Sequence, residues 1–121
     1  MAFQKLTPVL YTQEIAQTVD FYKSYLGFSC SSIDLEMGWA SIQREQIEIM
    51  VSLPNDHLPF EKPHFTGSFY FYIDEIDQLW NQVKNKVKIV YPIDSFEYGM
   101  REFAIYDNNG YLIQFGQEIN T

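Results

Sequence analysis

The sequence predicts a single α+β domain assembled from two β-α-β-β-β units. Three observations lead there. The order strand, helix, three strands runs twice along the chain, a Pro-rich segment separates the two runs, and each helix carries an apolar stripe suited to packing on a sheet. A length of 121 residues suits one domain with one core.

The first strand is expected over Leu6 to Thr12, rich in branched and aromatic residues, with Pro8 tolerable at a strand start or edge. Ile15, Val19, Tyr22 and Leu26 then recur at spacings of four, three and four, which places them on one helix face. Thr12 or Gln13 lies near the beginning of that helix, and Gly27 is placed to end it in a left-handed conformation. Strands follow over Phe28 to Ile33, Gly38 to Arg44 and Gln46 to Ser52. In the last of these Ile47, Ile49 and Val51 alternate with Glu48, Met50 and Ser52. The segment LPNDHLPFEKPHFTG, with its three prolines, reads as a linker, so the units run over about 1–53 and 67–121 with a linker over 54–66.

In the second unit SFYFYI (Ser68 to Ile73) is the first strand. Asp74 or Glu75 can cap a helix whose stripe is Ile76, Leu79, Trp80 and Val83. Lys84, Lys86 and Lys88 gather near its end, where cations suit the helix dipole. Strands follow over Lys88 to Tyr91, Arg101 to Tyr106 and Tyr111 to Phe115, the last two joined by the turn signal DNNG.

Sixteen acidic residues against eight basic ones give a net charge of −8. Such a surface repels phosphate backbones and anionic membranes, so no nucleic acid and no membrane partner is expected, and a cationic or neutral ligand fits better. No apolar run approaches the roughly 18 residues that span a bilayer. MAFQKLTPVL lacks the core and cleavage site of a signal peptide, and the only cysteine, Cys30, can form no internal disulfide. A cytoplasmic location is the expectation. Ten Phe, nine Tyr and two Trp exceed what a core of this size needs, so some rings are expected at a pocket or a subunit interface.

Three segments carry a family resemblance. TVDFYKSYLGF (Thr18 to Phe28) is a helix and turn, FYIDEIDQLW (Phe71 to Trp80) is a strand-to-helix step, and YGMREFAIYDNNGYLIQFG (Tyr98 to Gly116) is a closing hairpin. In this order and spacing they resemble the vicinal oxygen chelate superfamily of glyoxalase I, extradiol dioxygenases and bleomycin resistance proteins. The third is very similar to the bleomycin-resistance-like group. The resemblance implies two modules curling into a barrel-like mixed sheet around a cleft, with helices on the convex side. It also implies a homodimer whose ligand crevices lie at the dimer interface.

Metal-using members of that superfamily place ligands at positions that here fall on Thr7, Glu48, Ser68 and Gln114. Histidine or glutamine belongs at the first of each pair and glutamate at the second. Only Glu48 matches, so no metal and no other cofactor is expected: one carboxylate, one amide and two hydroxyls make a weak donor set for a divalent ion. Shifting the alignment by one residue brings in Pro8, which donates nothing. His57 and His64 both fall in the linker and read as solvated loop residues, and Cys30, with no base beside it in sequence, reads as a buried structural thiol.

The remaining candidates are ligand-lining. If Ser68 faces the cleft, so do Tyr70 and Tyr72, which offer flat rings and orienting hydroxyls. Trp39, Met50 and Tyr98 are further lining candidates. Glu48 has two readings, a partner for a cationic ligand group or for Arg101, and a half-exposed strand carboxylate. The aromatic positions likewise read either as ligand-lining or as dimer-interface packing. Trp80 is expected to be core.

The leading functional expectation is a metal-independent small-molecule binding protein resembling bleomycin resistance proteins, with no catalytic residues, holding a cationic or aromatic ligand. A metal-dependent lyase or oxygenase of the glyoxalase or dioxygenase kind, built on Glu48, is the alternative. A dimeric interaction module without a ligand is a third.

Overall fold

The computed structural model describes residues 1–55 and 60–119, so His57 lies outside the described residues. The chain divides into two compact units, Met1–Glu61 and Lys62–Thr121.

In the first unit β1 (Val9–Tyr11) leads to α1 (Ile15–Leu26), then β2 (Ser29–Asp34), β3 (Trp39–Arg44) and β4 (Ile47–Ser52). The strands form one sheet in the order β1-β4-β3-β2, with β1 parallel to β4 and the other pairings antiparallel. β1 is shorter than the sequence suggests, since Pro8 has no N–H for the ladder and contributes only its carbonyl, which accepts from the Met50 N–H at 2.9 Å. Glu14 precedes α1 without a side-chain cap. Its backbone N–H instead donates to Thr12 Oγ1 at 3.0 Å, and Thr18 Oγ1 donates back to the Glu14 carbonyl at 2.8 Å. Gly27, at φ 71°, closes the helix as its left-handed cap. Ile15, Val19, Tyr22 and Leu26 are buried with Leu10, Ala40, Ile42, Ile49 and Val51, which share one face of the sheet. That alternation leaves Trp39, Ser41, Glu48, Met50 and Ser52 on the other face.

The second unit repeats the design with β5 (Phe69–Tyr72), α2 (Ile76–Val83), β6 (Lys88–Ser95), β7 (Met100–Tyr106) and β8 (Leu112–Glu118). Its sheet order, β5-β8-β7-β6, is that of the first unit, with β5 parallel to β8. Each sheet is curved, mixed and open, and the two together make the chain α+β. Ile76 and Val83 are buried, and Trp80 packs on Phe103 with ring centroids 5.1 Å apart but stays half-buried, at the margin of the core. Phe103, Phe115 and Phe71 continue the same apolar layer. β6 runs past Pro92 to Ser95 because it is an edge strand, and its register shifts on either side of Tyr91.

Neither Asp74 nor Glu75 caps α2 with its side chain. Glu75 sits at the N-cap with φ 50°, and the Ile76 N–H donates to Gln117 Oε1 of β8 at 3.0 Å. In the DNNG turn Asp107 Oδ1 accepts from the N–H groups of Asn109, Gly110 and Tyr111 at 2.8–2.9 Å. Cys30 is half-buried, with its thiol donating to the Ser32 carbonyl at 3.4 Å, so the expectation of a fully buried thiol does not hold. Its position beside the Cys30/Ser32 register shift on the sheet edge explains the exposure. His64 is exposed. Among the described residues no helix is long and apolar enough to cross a membrane.

Candidate functional site

Each sheet has one face covered by its helix and one that carries polar and aromatic side chains. On the open face of the second sheet the central residue is Glu102, in the middle of β7. It is only 2% exposed, and no lysine or arginine pairs with it among the described residues. Its partners are hydroxyls. Tyr70 donates to Oε1 at 2.8 Å and Tyr91 donates to Oε2.

Local sequence explains the convergence. Register sets Tyr70, Gln114, Ala104 and Tyr91 side by side across β5, β8, β7 and β6. Glu102 lies one pleat along, opposite Gly116. For Tyr70 to reach it the ring must cross β8, and it crosses at Gly116, where any Cβ would overlap the Tyr70 hydroxyl. Tyr98 comes from the β6–β7 turn, in which Gly99, at φ 88°, donates its N–H to the Phe96 carbonyl at 3.0 Å. The network extends outward: Gln114 Nε2 donates to the Tyr91 hydroxyl at 2.9 Å, and the Ser68 hydroxyl donates to Gln114 Oε1.

Burial by itself pushes the Glu102 carboxyl up, but the hydroxyls of Tyr91, Tyr98 and Tyr70 outweigh it and hold it below the ordinary value. The tyrosines respond in the opposite sense. Burial, then the Glu102 charge, raises Tyr70 and brings Tyr91 to about 12. The hydrogen bond to Glu102 brings Tyr98 to about 12. At neutral pH this is a carboxylate anion ringed by neutral phenols.

Aromatic faces surround that anion. Tyr72 packs beside Tyr70 at 5.2 Å, Phe96 meets Tyr91 edge-on at 5.9 Å, and Tyr98 stacks on Phe96 at 5.5 Å and 11°. Tyr72 and Tyr98 remain 73% and 65% exposed, so two rings present themselves to solvent.

The open face of the first sheet is built differently. Glu48 pairs with Lys5 Nζ at 2.6 Å and accepts from Ser41 Oγ at 3.0 Å and Thr7 Oγ1 at 3.3 Å. The Lys5 ammonium, then the Ser41 hydroxyl, hold its carboxyl below the ordinary value. Trp39 Nε1 donates to Met50 Sδ at 3.4 Å on the same face.

The predicted positions therefore divide. Ser68, Tyr70, Tyr72, Tyr98 and Gln114 gather around Glu102. Trp39, Glu48 and Met50 gather on the first sheet with Thr7. Arg101 joins neither group, because it alternates with Glu102 and points to α2, where it holds Asp77 in a bidentate pair at 2.7 and 3.0 Å. Lys5, not Arg101, neutralises Glu48. Sequence reading missed Glu102, Tyr91 and Phe96. The available signal was a carboxylate two residues before Gln114's neighbour Ala104, at the start of the apolar run Phe103 to Ile105.

Thr7 with Glu48, and Ser68 with Gln114, each hydrogen-bond within their own unit, and no three His, Cys, Asp or Glu side chains come together among the described residues. The donors present suit a divalent metal poorly. One carboxylate already bound to an ammonium, an amide and two hydroxyls supply little charge to displace water from an ion.

No curated protein matches the chain by sequence. Solved structures share its fold. TioX from Micromonospora sp. ML1 is 16% identical with a TM-score of 0.79, covering 97% of this chain and 100% of that one. A glyoxalase/bleomycin resistance protein/dioxygenase from Nocardioides is 15% identical with a TM-score of 0.78, over 99% and 87%. A lactoylglutathione lyase from Agrobacterium tumefaciens is 17% identical with a TM-score of 0.73, over 94% and 92%. Residues 5–115 match the model of the Glyoxalase/Bleomycin resistance protein/Dioxygenase superfamily, and the chain belongs to that superfamily.

Proposed function

We propose that the chain is a metal-independent small-molecule binding protein of the bleomycin-resistance-like kind, holding a cationic or aromatic ligand on the open face of its second sheet. One observation carries the reading: a buried Glu102 carboxylate whose hydrogen-bond partners are tyrosine hydroxyls, under two solvent-facing tyrosine rings. A buried carboxylate is costly to keep and adds less to the core than an apolar residue of its size would. A ligand whose charge or rings complete the cluster gives that cost a purpose. Sequestration asks for affinity alone.

Titration of the full chain by calorimetry with a cationic glycopeptide and a panel of small aromatic compounds tests the reading. Binding that weakens on Tyr98→Leu or Tyr72→Leu supports it. A panel silent to high micromolar concentrations overturns it. Elemental analysis of protein purified without chelators checks the metal: a stoichiometric transition ion would favour a lyase or oxygenase built on Glu48.

A further inference from the structure

We infer that the group recognised at Glu102 is a methylated organic ammonium, a trimethyl- or dimethylammonium head without strong N–H donors, lodged against the faces of Tyr72 and Tyr98. The inference rests on the proposal that this face binds a small molecule, and it names the chemistry of what binds.

Charge sets the first condition. The cluster holds one full negative charge, no cation from the described residues meets it, and the chain carries a net charge of −8. The occupant it favours is positive.

Hydrogen-bonding capacity sets the second. A carboxylate offers about four lone-pair positions. Two tyrosine hydroxyls already donate to Glu102, one to each oxygen, and the Tyr98 hydroxyl acts on the same carboxylate. The next acceptor outward, Gln114 Oε1, takes the Ser68 hydroxyl, and the Tyr91 oxygen takes the Gln114 amide. A primary ammonium brings three donors and a guanidinium five, and on entering this site they would give up water for acceptors that each already take a hydroxyl or an amide. A methylated ammonium loses almost no hydrogen bonds on entry. Its charge is spread over methyl groups that need only a negative field and ring faces.

The rings meet that need. Tyr70, Tyr72, Tyr91, Phe96 and Tyr98 are linked by centroid distances of 5.2, 5.9 and 5.5 Å and by the shared Glu102 carboxylate. Cations sit over such rings within about 6 Å of a centroid. Each phenol that donates to Glu102 has electron density pushed back into its ring by the carboxylate charge, which strengthens the attraction of its face for a cation.

The test compares choline, its uncharged carbon isostere 3,3-dimethylbutan-1-ol, and ethanolamine, each titrated into the full chain and followed by NMR shifts and calorimetry. Choline is expected to bind at least about tenfold more tightly than either of the others, since removing the charge or adding donors removes one of the two conditions. Glu102→Gln, which keeps the shape, is expected to lower choline affinity by about tenfold. If that variant does not fold, Tyr72→Leu, at an exposed position, is expected to weaken choline and leave the melting curve in place, and Tyr98→Leu to weaken choline as well. An isostere that binds as well as choline, an ethanolamine that binds better, or choline affinity indifferent to both leucine variants overturns the inference. Neutral aromatic compounds that bind where choline does not would overturn it and leave the wider binding proposal standing. If neither class binds, both fall.

Discussion

Gly116→Ala isolates the packing device that builds the cluster. Gly116 has an ordinary strand φ, so alanine brings no backbone strain there, and the added methyl meets one thing, the hydroxyl end of Tyr70. The ring must leave β8 and with it the 2.8 Å bond to Glu102. A hydrogen bond to a charged group contributes about 1.5–3 kcal/mol. Against this, replacing a strand glycine returns roughly 0.5–1 kcal/mol of backbone entropy. The net loss should be about 1–2 kcal/mol, a fall in midpoint of about 4 °C per kcal/mol for a domain of this size. Urea and thermal denaturation measure it, and a double-mutant cycle with Tyr70→Leu tests the cause. With the ring gone the methyl has nothing to displace, so the double variant should be no less stable than Tyr70→Leu alone. A Gly116→Ala protein as stable as the parent, or single costs that add within ~0.5 kcal/mol, would refute the crossing as the reason for the glycine.

The remaining predictions read other parts of the structure. Because Gln117 supplies the cap that Glu75 does not, Gln117→Leu should cost about 1 kcal/mol and speed amide exchange at Ile76. Glu75→Gly, which suits φ 50°, should raise stability by about 1 kcal/mol in chemical denaturation. The lowered Glu102 carboxyl stabilises the fold above the ordinary carboxylate value, and that contribution should disappear as pH falls through and below that range; Glu102→Gln should flatten this acid limb of the stability curve. The raised tyrosines stabilise below the ordinary tyrosine value of about 10, and that contribution should be lost as pH climbs from there through about 12. Absorbance at alkaline pH should show Tyr91 and Tyr98 ionising late, and ordinary titration of every tyrosine would contradict the network. Removing the Lys5 ammonium with Lys5→Ala should still leave no metal site, so zinc, nickel or manganese should not shift the melting midpoint.

The fold was largely legible because its signals are local. The apolar stripes of α1 and α2, Gly27 as a left-handed cap and the DNNG turn each depend on residues within a few positions of one another. Errors fell where distant residues decide. Pro92 reads as the end of β6, yet an edge strand tolerates it. Gly116 lies beyond the predicted end of β8, yet it is a mid-strand residue kept small for a ring from β5. Glu75 reads as a cap, yet the cap comes from β8.

The site follows the same logic at finer grain. Alternation from Ser68 puts Tyr70 and Tyr72 on one face of β5, and that strand has no bulge to alter the phase. On β7 the same rule needed an anchor. Assigning Arg101 to the ligand face assigns Phe103 and Ile105 there too and sends Glu102 to the helix, a one-residue choice that inverts the strand. Arg101 is the more conspicuous residue for ligand chemistry, but its partner Asp77 lies in the first turn of α2, twenty-four positions away. Phe103 and Ile105 on the helix side, against Trp80 and Ile113, fix the phase independently. A carboxylate in the opposite phase then has to be held by the other face. Here that face supplies phenol hydroxyls, and a carboxylate held only by neutral donors is the feature on which the proposed charge recognition rests.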